Sequence, residues 1–167
     1  MFDGQINKVL KPALDLLAKK LSQFNIQANM ITLTGFFFGL FCSYFIVNEM
    51  FIYAGIFLFL NRFCDGLDGA IARLNGETDI GAFYDIVSDF LFYFIFPISF
   101  IILDLNNTYP ICFLLLSFVA TQTTFLATAW FVEKNKPLIS DVQKKSFFYA
   151  GGITEGFETI ICFVMML

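Results

Sequence analysis

Two segments of a strongly hydrophobic sequence decide the fold and the chemistry of this chain, NRFCDGLDGAIAR at residues 61–73 and IGAFYDIVSD at residues 80–89. Each segment places two aspartates on one face of a predicted helix, at a spacing of three residues in the first and four in the second. A long apolar run precedes the first segment, and another follows the second. Carboxylates are therefore predicted inside helices that cross a membrane, where ionisable side chains mark functional sites.

The composition is that of a membrane protein. Of the 167 residues, 58% are hydrophobic and 14% are charged, whereas about 25% are charged in a soluble domain. A net charge of −4 argues against a nucleic-acid partner, and the absence of histidine excludes imidazole bases and imidazole metal ligands. The four cysteines form no CxxC pair and are predicted to be small core residues rather than disulfide or zinc partners (Cys42, Cys64, Cys112 and Cys162).

Hydrophobic residues fall into five runs, each about the 20 residues that a membrane helix needs. The runs are 30–47, 51–73, 80–103, 109–132 and 146–167. Because most links between them are short, successive helices are predicted to be antiparallel neighbours. We expect a single all-α domain over residues 1–167, a polytopic membrane helix bundle. The last run reaches Leu167 without a polar flank, so we expect the natural chain to continue into a further helix.

The first 27 residues are more polar, and their apolar side chains recur at helical spacing among lysines. This pattern predicts an amphipathic juxtamembrane helix. Such a helix could lie on an anionic membrane surface. It could equally pack against the cytoplasmic end of the bundle.

The four aspartates are predicted to converge. At a rise of about 1.5 Å per residue, Asp68 and Asp85 lie roughly 8 Å from the cytoplasmic helix ends, and Asp65 and Asp89 roughly 12–13 Å. A carboxylate at mid-membrane costs about 2.5–3.5 kcal/mol, so a cation must compensate. Oxygen ligands alone favour Mg²⁺ or Mn²⁺, and a pair of such ions suits phosphoryl-type transfer. A transporter with an aspartate-lined ion or proton pathway is the main alternative.

Small and basic residues beside the aspartates indicate a phosphate ligand. Gly69 lies one turn from Asp65, and Gly81 lies one turn from Asp85. Each glycine would let either a phosphate or a neighbouring helix approach closely. Arg73, one turn beyond Gly69, offers a guanidinium group to a phosphate.

The whole pattern resembles the signature of the CDP-alcohol phosphatidyltransferase family, on Asp65-x2-Asp68-Gly69-x2-Ala72-Arg73 and Gly81-x3-Asp85-x3-Asp89. The resemblance implies a six-helix membrane enzyme of phospholipid biosynthesis, usually a homodimer. Such an enzyme transfers a phosphatidyl group from CDP-diacylglycerol to a small alcohol and releases CMP. Its cavity would open to the cytosol and sideways to the lipid. The family pattern has eight residues between the arginine and the next glycine, whereas residues 74–80 number seven.

The resemblance also implies residue roles. The metal ligands would be Asp65, Asp68, Asp85 and Asp89, and Asp89 would also accept the proton of the acceptor. Contacts to CDP would come from Asp68, Gly69, Ala72, Arg73, Thr78 and Gly81, and from Asn29 and Thr32 at the start of the first span. Asn29 can alternatively be interpreted as an ordinary helix cap.

Candidates for an acceptor pocket are Glu155 and Glu158, which share a helical face of the last run, together with Arg62. Arg62 could meet an acceptor phosphate or pair with an aspartate. Because the last three spans carry no lysine or arginine in their interior, a polyol or an amine is favoured over a phosphorylated acceptor. The glutamates could instead lie at a dimer contact. A membrane prenyltransferase also uses aspartates and Mg²⁺, but its aspartate spacing differs and it needs more helices.

The lysines predict the orientation in what we expect to be a bacterial plasma (inner) membrane. Four lie in residues 1–27 and four in the link 133–145, whereas the links 48–50 and 104–108 have none. By the positive-inside rule the N-terminus, the 74–79 link and the 133–145 link face the cytoplasm. In a cysteine-free background, a thiol reagent added outside should therefore label Asn106→Cys and spare Lys136→Cys. Labelling of both positions from one side would contradict this topology.

Overall fold

The computed structural model describes residues 3–24, 26–134 and 156–167. These residues form α1 (Asp3–Gln23), α2 (Ala28–Val47), α3 (Phe51–Asn75), α4 (Asp79–Leu103), a 3-10 turn (Leu105–Asn107), α5 (Thr108–Lys134) and α6 (Gly156–Met166). The all-α prediction is confirmed, and no strand occurs among the described residues. For α2 to α5 the predicted bounds agree with the structure within two residues. Of the last predicted span, the part before residue 156 lies outside the described residues, as does most of the 133–145 link.

The helices form an integral membrane bundle. Three described segments are long and apolar enough to span a membrane, Ala28–Val47, Asp79–Leu103 and Leu105–Phe131. Helix α3 has 25 residues and packs along α2, and at about 1.5 Å per residue it exceeds the ~30 Å hydrocarbon core of a bilayer. Of its four charged residues, Arg62, Asp65 and Asp68 are buried or partly buried among the helices, whereas Arg73 is exposed. The fold therefore keeps most of the charges of α3 inside the bundle.

The surface of the bundle is largely apolar, as contact with lipid requires. Only 6% of the most hydrophobic stretch of α5 is buried within the chain. Its exposed side chains include Phe113, Leu116 and Phe125. The prediction for the cysteines is accordingly half right, because Cys42 and Cys64 are buried whereas Cys112 and Cys162 are exposed on this surface. All four are free thiols in this structure.

Two glycines bring α2 close to its neighbours, Gly35 to α3 and Gly39 to α4. Gly35 and Gly39 are four residues apart on α2, and both are buried. A methyl group at Gly35 would lie 2.9 Å from Cβ of Cys64, and one at Gly39 would lie 2.6 Å from the ring of Phe92. Small residues at this spacing are the usual means by which membrane helices approach each other closely. The contact lets side chains of α2 and α3 reach across the interface.

An aromatic core holds α4 and α6 together. The rings of Phe96 and Phe163 stack with centroids 4.1 Å apart, and Phe92 meets Phe163 edge to face at 5.9 Å. All three side chains are essentially inaccessible to solvent. The ring of Phe163 therefore fixes α6 to the bundle by packing against two rings of α4.

Two local features, a glycine at the end of α3 and a threonine cap on α4, allow a short link between these helices. Gly76 ends α3 with φ of 98°, a left-handed conformation that other residues avoid. Thr78 then caps α4, and its hydroxyl oxygen accepts a hydrogen bond from the backbone N–H of Gly81 at 3.0 Å. The chain therefore reverses between two long antiparallel helices with few residues.

Helix α1 packs against the bundle. Ala18 of α1 is fully buried, and Leu14 and Leu21 contact a cluster on α3 formed by Leu67, Ala70 and Ile71. The hydroxyl of Ser22 also donates a hydrogen bond to the side-chain oxygen of Asn75 at 2.7 Å. Helix α1 therefore packs on the part of α3 that leads into the α3–α4 link. Leu10, Leu16 and Leu17 remain exposed on other faces of α1.

Replacing Gly35 should test the close approach of α2 and α3. In Gly35→Ala the new methyl group would meet Cβ of Cys64, which cannot move without its helix, so the helices must separate. We expect a loss of about 1–3 kcal/mol in unfolding free energy, measured by thermal unfolding in detergent. The matched control is Gly55→Ala, where the nearest atom would lie at an ordinary 3.9 Å. Equal stabilities of the two variants would contradict this packing.

Candidate active site

Three aspartates converge inside the bundle. Asp65 and Asp68 of α3 and Asp85 of α4 each offer a carboxylate oxygen, and these oxygens lie within 4.8 Å of one another. Asp68 is buried, with 4% of its surface exposed, and the other two are partly buried. The arrangement follows from the short link, which sets α4 antiparallel to α3. We call these residues the aspartate group.

The aspartate group fits a hard divalent cation. Magnesium binds oxygen at about 2.0–2.1 Å in near-octahedral geometry, so ligands on opposite sides of the ion lie about 4 Å apart. Oxygens within 4.8 Å of one another reach that spacing with small side-chain movements. The chemistry of the donors, carboxylates alone, is that preferred by Mg²⁺ and Mn²⁺.

Thr32 of α2 fixes one member of the group. Its hydroxyl donates a hydrogen bond to Oδ2 of Asp68 at 2.5 Å, in a buried position. A longer contact of 3.2 Å joins the same hydroxyl to the carbonyl of Ala28. The bond to a charged acceptor orients the carboxylate toward the group. Sequence reasoning expected Thr32 near a nucleotide and missed this bond.

Asp89, the fourth predicted ligand, has a different partner. Its Oδ1 accepts a hydrogen bond from Nη2 of Arg62 at 2.8 Å, whereas Nη1 of Arg62 lies 3.6 Å from Oδ2 of Asp65. Of the two predicted roles for Arg62, the structure shows the pairing with aspartates. The guanidinium therefore bridges α3 and α4 beside the aspartate group.

Asn61 is a residue of the site that sequence reasoning missed. It is buried, and its amide donates a hydrogen bond to the carbonyl of Gly35 at 2.8 Å. Its side-chain oxygen accepts one from Nε of Arg62, also at 2.8 Å. An amide inside a span, directly before Arg62, was the available signal, because a polar group in a membrane helix needs a partner.

A cavity of about 330 Å³ lies beside the aspartate group, at the end of the bundle that holds the α3–α4 link. All eight residues that the resemblance connects with CDP line it: Asn29, Thr32, Asp68, Gly69, Ala72, Arg73, Thr78 and Gly81. Asp85, Glu77 and Ala82 also contribute to the wall. Asn29 is not the cap of α2, since Gln27 occupies that position. The shorter link does not remove Arg73 or Thr78 from the cavity.

The two glycines of the motif have different surroundings. A methyl group at Gly81 would lie 2.9 Å from Oγ1 of Thr78 and 3.1 Å from Oδ1 of Asn29, so it would displace these two side chains. A methyl group at Gly69 would meet only Nη1 of Arg73, at 3.4 Å. Gly69 therefore borders open space in the cavity, where a ligand could approach the helix backbone.

A second cavity, of about 430 Å³, lies between α3 and α6. Its walls are apolar apart from Arg62, which reaches it from the aspartate side, and they include Gly55, Leu58, Ile160 and Val164. Of the other predicted acceptor residues, Glu158 is partly buried on α6, and Glu155 lies outside the described residues. Arg62 thus contacts the aspartates on one side and this apolar cavity on the other.

Replacing Thr32 should test the anchoring of Asp68. Thr32→Val keeps the shape of the side chain and removes the donor, which leaves a buried carboxylate without this hydrogen bond. We expect a loss of about 1.5–3 kcal/mol in unfolding free energy, as for hydrogen bonds to charged groups. Thermal unfolding of Thr34→Val is the control, because that exposed hydroxyl bonds only to its own helix. A stability loss shared equally by both variants would argue against the anchoring.

Comparison with known proteins is consistent with this geometry. Residues 25–167 match the CDP-alcohol phosphatidyltransferase family. The chain is 38% identical to the inner membrane protein YnjF of Escherichia coli, over 99% of this chain and 81% of that protein. It is also 36% identical to the archaetidylinositol phosphate synthase of Pyrococcus horikoshii, over 52% of this chain and 46% of that enzyme. The chain therefore belongs to the CDP-alcohol phosphatidyltransferase family, a family of membrane transferases of phospholipid synthesis.

Proposed function

We propose that this protein transfers a phosphatidyl group from CDP-diacylglycerol to a small alcohol, with release of CMP, in a reaction that requires Mg²⁺ or Mn²⁺. The observation that carries the proposal is the aspartate group at the inner end of a cavity lined by every residue expected to contact CDP. Family membership supports the reaction class. We place the protein in a bacterial inner membrane and propose a homodimer from the family resemblance. The lysine distribution supports a polar cavity that faces the cytoplasm.

The donor would lie across both cavities. Its cytidine and ribose groups would occupy the polar cavity, where Arg73 and Thr78 offer donors at the open end. The diphosphate would lie beside Gly69 and the aspartate group, and divalent ions bound there would neutralise its charge and that of the departing CMP. The acyl chains would follow the apolar wall between α3 and α6. Each part of the donor thus meets a surface of matching polarity.

Asp89 is the proposed general base. It lies deeper than Asp68 and Asp85, on the side away from the open cavity, where an acceptor could approach opposite the leaving group. One of its oxygens is bound by Arg62, so the other remains to accept a proton. The acceptor O–H bond breaks as its proton passes to Asp89, and the oxygen forms a bond to the phosphorus that carries the lipid. The bond from that phosphorus to the bridging oxygen breaks, and CMP leaves with that oxygen and its electron pair.

The acceptor is proposed as an uncharged polyol or an amino alcohol. The guanidinium of Arg62 is already paired with Asp89 and lies near Asp65, so it offers no free charge to an acceptor phosphate. Glu158, partly buried on α6, is a candidate contact for acceptor hydroxyl or ammonium groups. Glu155 is proposed for the same pocket from the sequence alone.

Release of CMP from CDP-diacylglycerol by the purified protein, supplied with a panel of alcohols, tests the function. We expect release only with Mg²⁺ or Mn²⁺ and none after addition of EDTA, because the aspartate group then lacks the cation that binds the diphosphate. Full activity in EDTA would contradict the metal requirement. Ion transport by reconstituted vesicles without any CMP release would favour an aspartate-lined pathway instead.

Two variants separate the roles of the aspartates. At saturating Mg²⁺, Asp89→Asn should keep donor binding and lose turnover by about a hundredfold or more, the usual scale for loss of a general base. Asp68→Asn should lose donor binding as well, since Asp68 belongs to the metal-binding group. Asp104→Asn is the matched control, because Asp104 lies at the opposite end of α4 and caps the following turn. Turnover by Asp89→Asn at the wild-type rate would remove Asp89 from the mechanism.

A further inference from the structure

We propose that Arg62 is a positioning residue that keeps Asp89 out of the metal-ligand set of the substrate-free protein and holds down the affinity of the aspartate group for a divalent ion. It would act as a built-in counter-charge until the donor's diphosphate completes the site. The inference rests on the proposed function only in that the aspartate group binds a divalent cation. It assigns to this chain an arginine role that lies outside the eight-position motif.

The position of Arg62 is fixed by all three central helices. Its Nε donates to Asn61, whose amide in turn bonds to the backbone of Gly35 on α2. Its Cζ lies 5.1 Å from the ring centre of Phe92 and 5.7 Å from that of Tyr93, both on α4. Only 16% of the side chain is exposed. A guanidinium held by a hydrogen bond and two ring faces cannot easily turn away from the site.

The two ion pairs of Arg62 differ in length, so its two aspartate partners are held to different degrees. The bond to Asp89 is short and direct, at 2.8 Å, so Asp89 has a permanent cationic partner. The contact to Asp65 is longer, at 3.6 Å, and leaves Asp65 within the aspartate group. Asp65 is therefore shared between the guanidinium and any bound cation. A positive charge so close to the group must oppose the binding of a second cation there.

The arrangement gives the free protein a stable site without metal. Several carboxylates in a membrane would repel one another if no cation were present. Arg62 offsets part of this repulsion at all times, so the free protein does not depend on a tightly bound ion. When the diphosphate adds negative charge, the balance shifts toward tighter metal binding. Metal and donor are thereby expected to bind together rather than in a fixed order.

The test is the affinity for Mn²⁺ alone, titrated into the purified protein in detergent and followed by electron paramagnetic resonance. Arg62→Gln removes the opposing charge, so Mn²⁺ should bind at least roughly tenfold more tightly. A residue needed only for the structure of the site would give weaker binding instead. Weaker or unchanged binding therefore overturns the proposal. Lys20→Gln, which removes an exposed charge from α1, should leave the affinity as in the wild type.

A double-mutant cycle with Asp89 supplies an independent readout. In Asp89→Asn the guanidinium is released toward Asp65, so Mn²⁺ should bind more weakly than in the wild type. The double variant Arg62→Gln/Asp89→Asn should bind Mn²⁺ more tightly than Asp89→Asn, because the opposing guanidinium is gone. If the double variant stays as weak as Asp89→Asn, the guanidinium does not oppose the metal and the proposal fails.

Arg62→Lys covers the case in which the glutamine variants do not fold. An ammonium group can pair with Asp89 but lacks the planar fork that also reaches Asp65. Mn²⁺ should then bind several-fold more tightly than in the wild type, and equal or weaker binding overturns the proposal. The readout is separate from turnover. A protein that binds Mn²⁺ in the expected order but releases no CMP would overturn the proposed function alone.

Discussion

Burying carboxylates inside a membrane bundle is the constraint on which the rest of this structure depends. Each charged group there is unfavourable unless a donor or a cation compensates it. The protein gives its aspartates different partners: Asp68 has the hydroxyl of Thr32, and Asp89 has the guanidinium of Arg62. Asp65, Asp68 and Asp85 each keep a carboxylate oxygen that can bind a cation, and these three oxygens converge on one position. The partners therefore decide which carboxylates are available to a cation.

The packing of the helices serves these partners. Thr32 and Asn61 reach across the α2–α3 interface only because Gly35 lets the two helix backbones approach closely. The ring of Phe92 both fills the core and underlies the guanidinium of Arg62. A larger residue on α2 would thus disturb the stability of the bundle and the electrostatics of the site together. The hydrophobic core and the site therefore share residues, among them Gly35 and Phe92.

Hydrophobicity and residue spacing predicted much of this arrangement. The remaining contacts could not be predicted because they depend on the rotation of each helix about its axis. Runs of apolar residues gave the bounds of α2 to α5, and the short 74–79 link predicted that the aspartates of α3 and α4 converge. The contacts of Thr32, Asn61 and Arg62 depend on how each helix is turned about its axis. Helix α2 is apolar on nearly every side, so its sequence indicates no preferred face. The same uncertainty about rotation led to the wrong burial of Cys112 and Cys162 on α5 and α6.

The order of residues along α3 matches the order of groups in the proposed donor. From its C-terminal end inwards it presents Arg73, then Gly69 with Asp68, then Asp65, then Arg62, and finally the apolar wall at Leu58 and Gly55. A polar open end, a cation-binding centre and an apolar channel follow one another along a single rod of about 1.5 Å per residue. The proposed donor has the same order, from nucleotide through diphosphate to acyl chains. Because the rod is rigid, it fixes the distance between the proposed nucleotide and lipid contacts, and the phosphorus of the proposed donor would lie between Asp65 and Asp89. Selection of a nucleotide-linked lipid over either half alone would then follow from geometry, since neither half would span the centre.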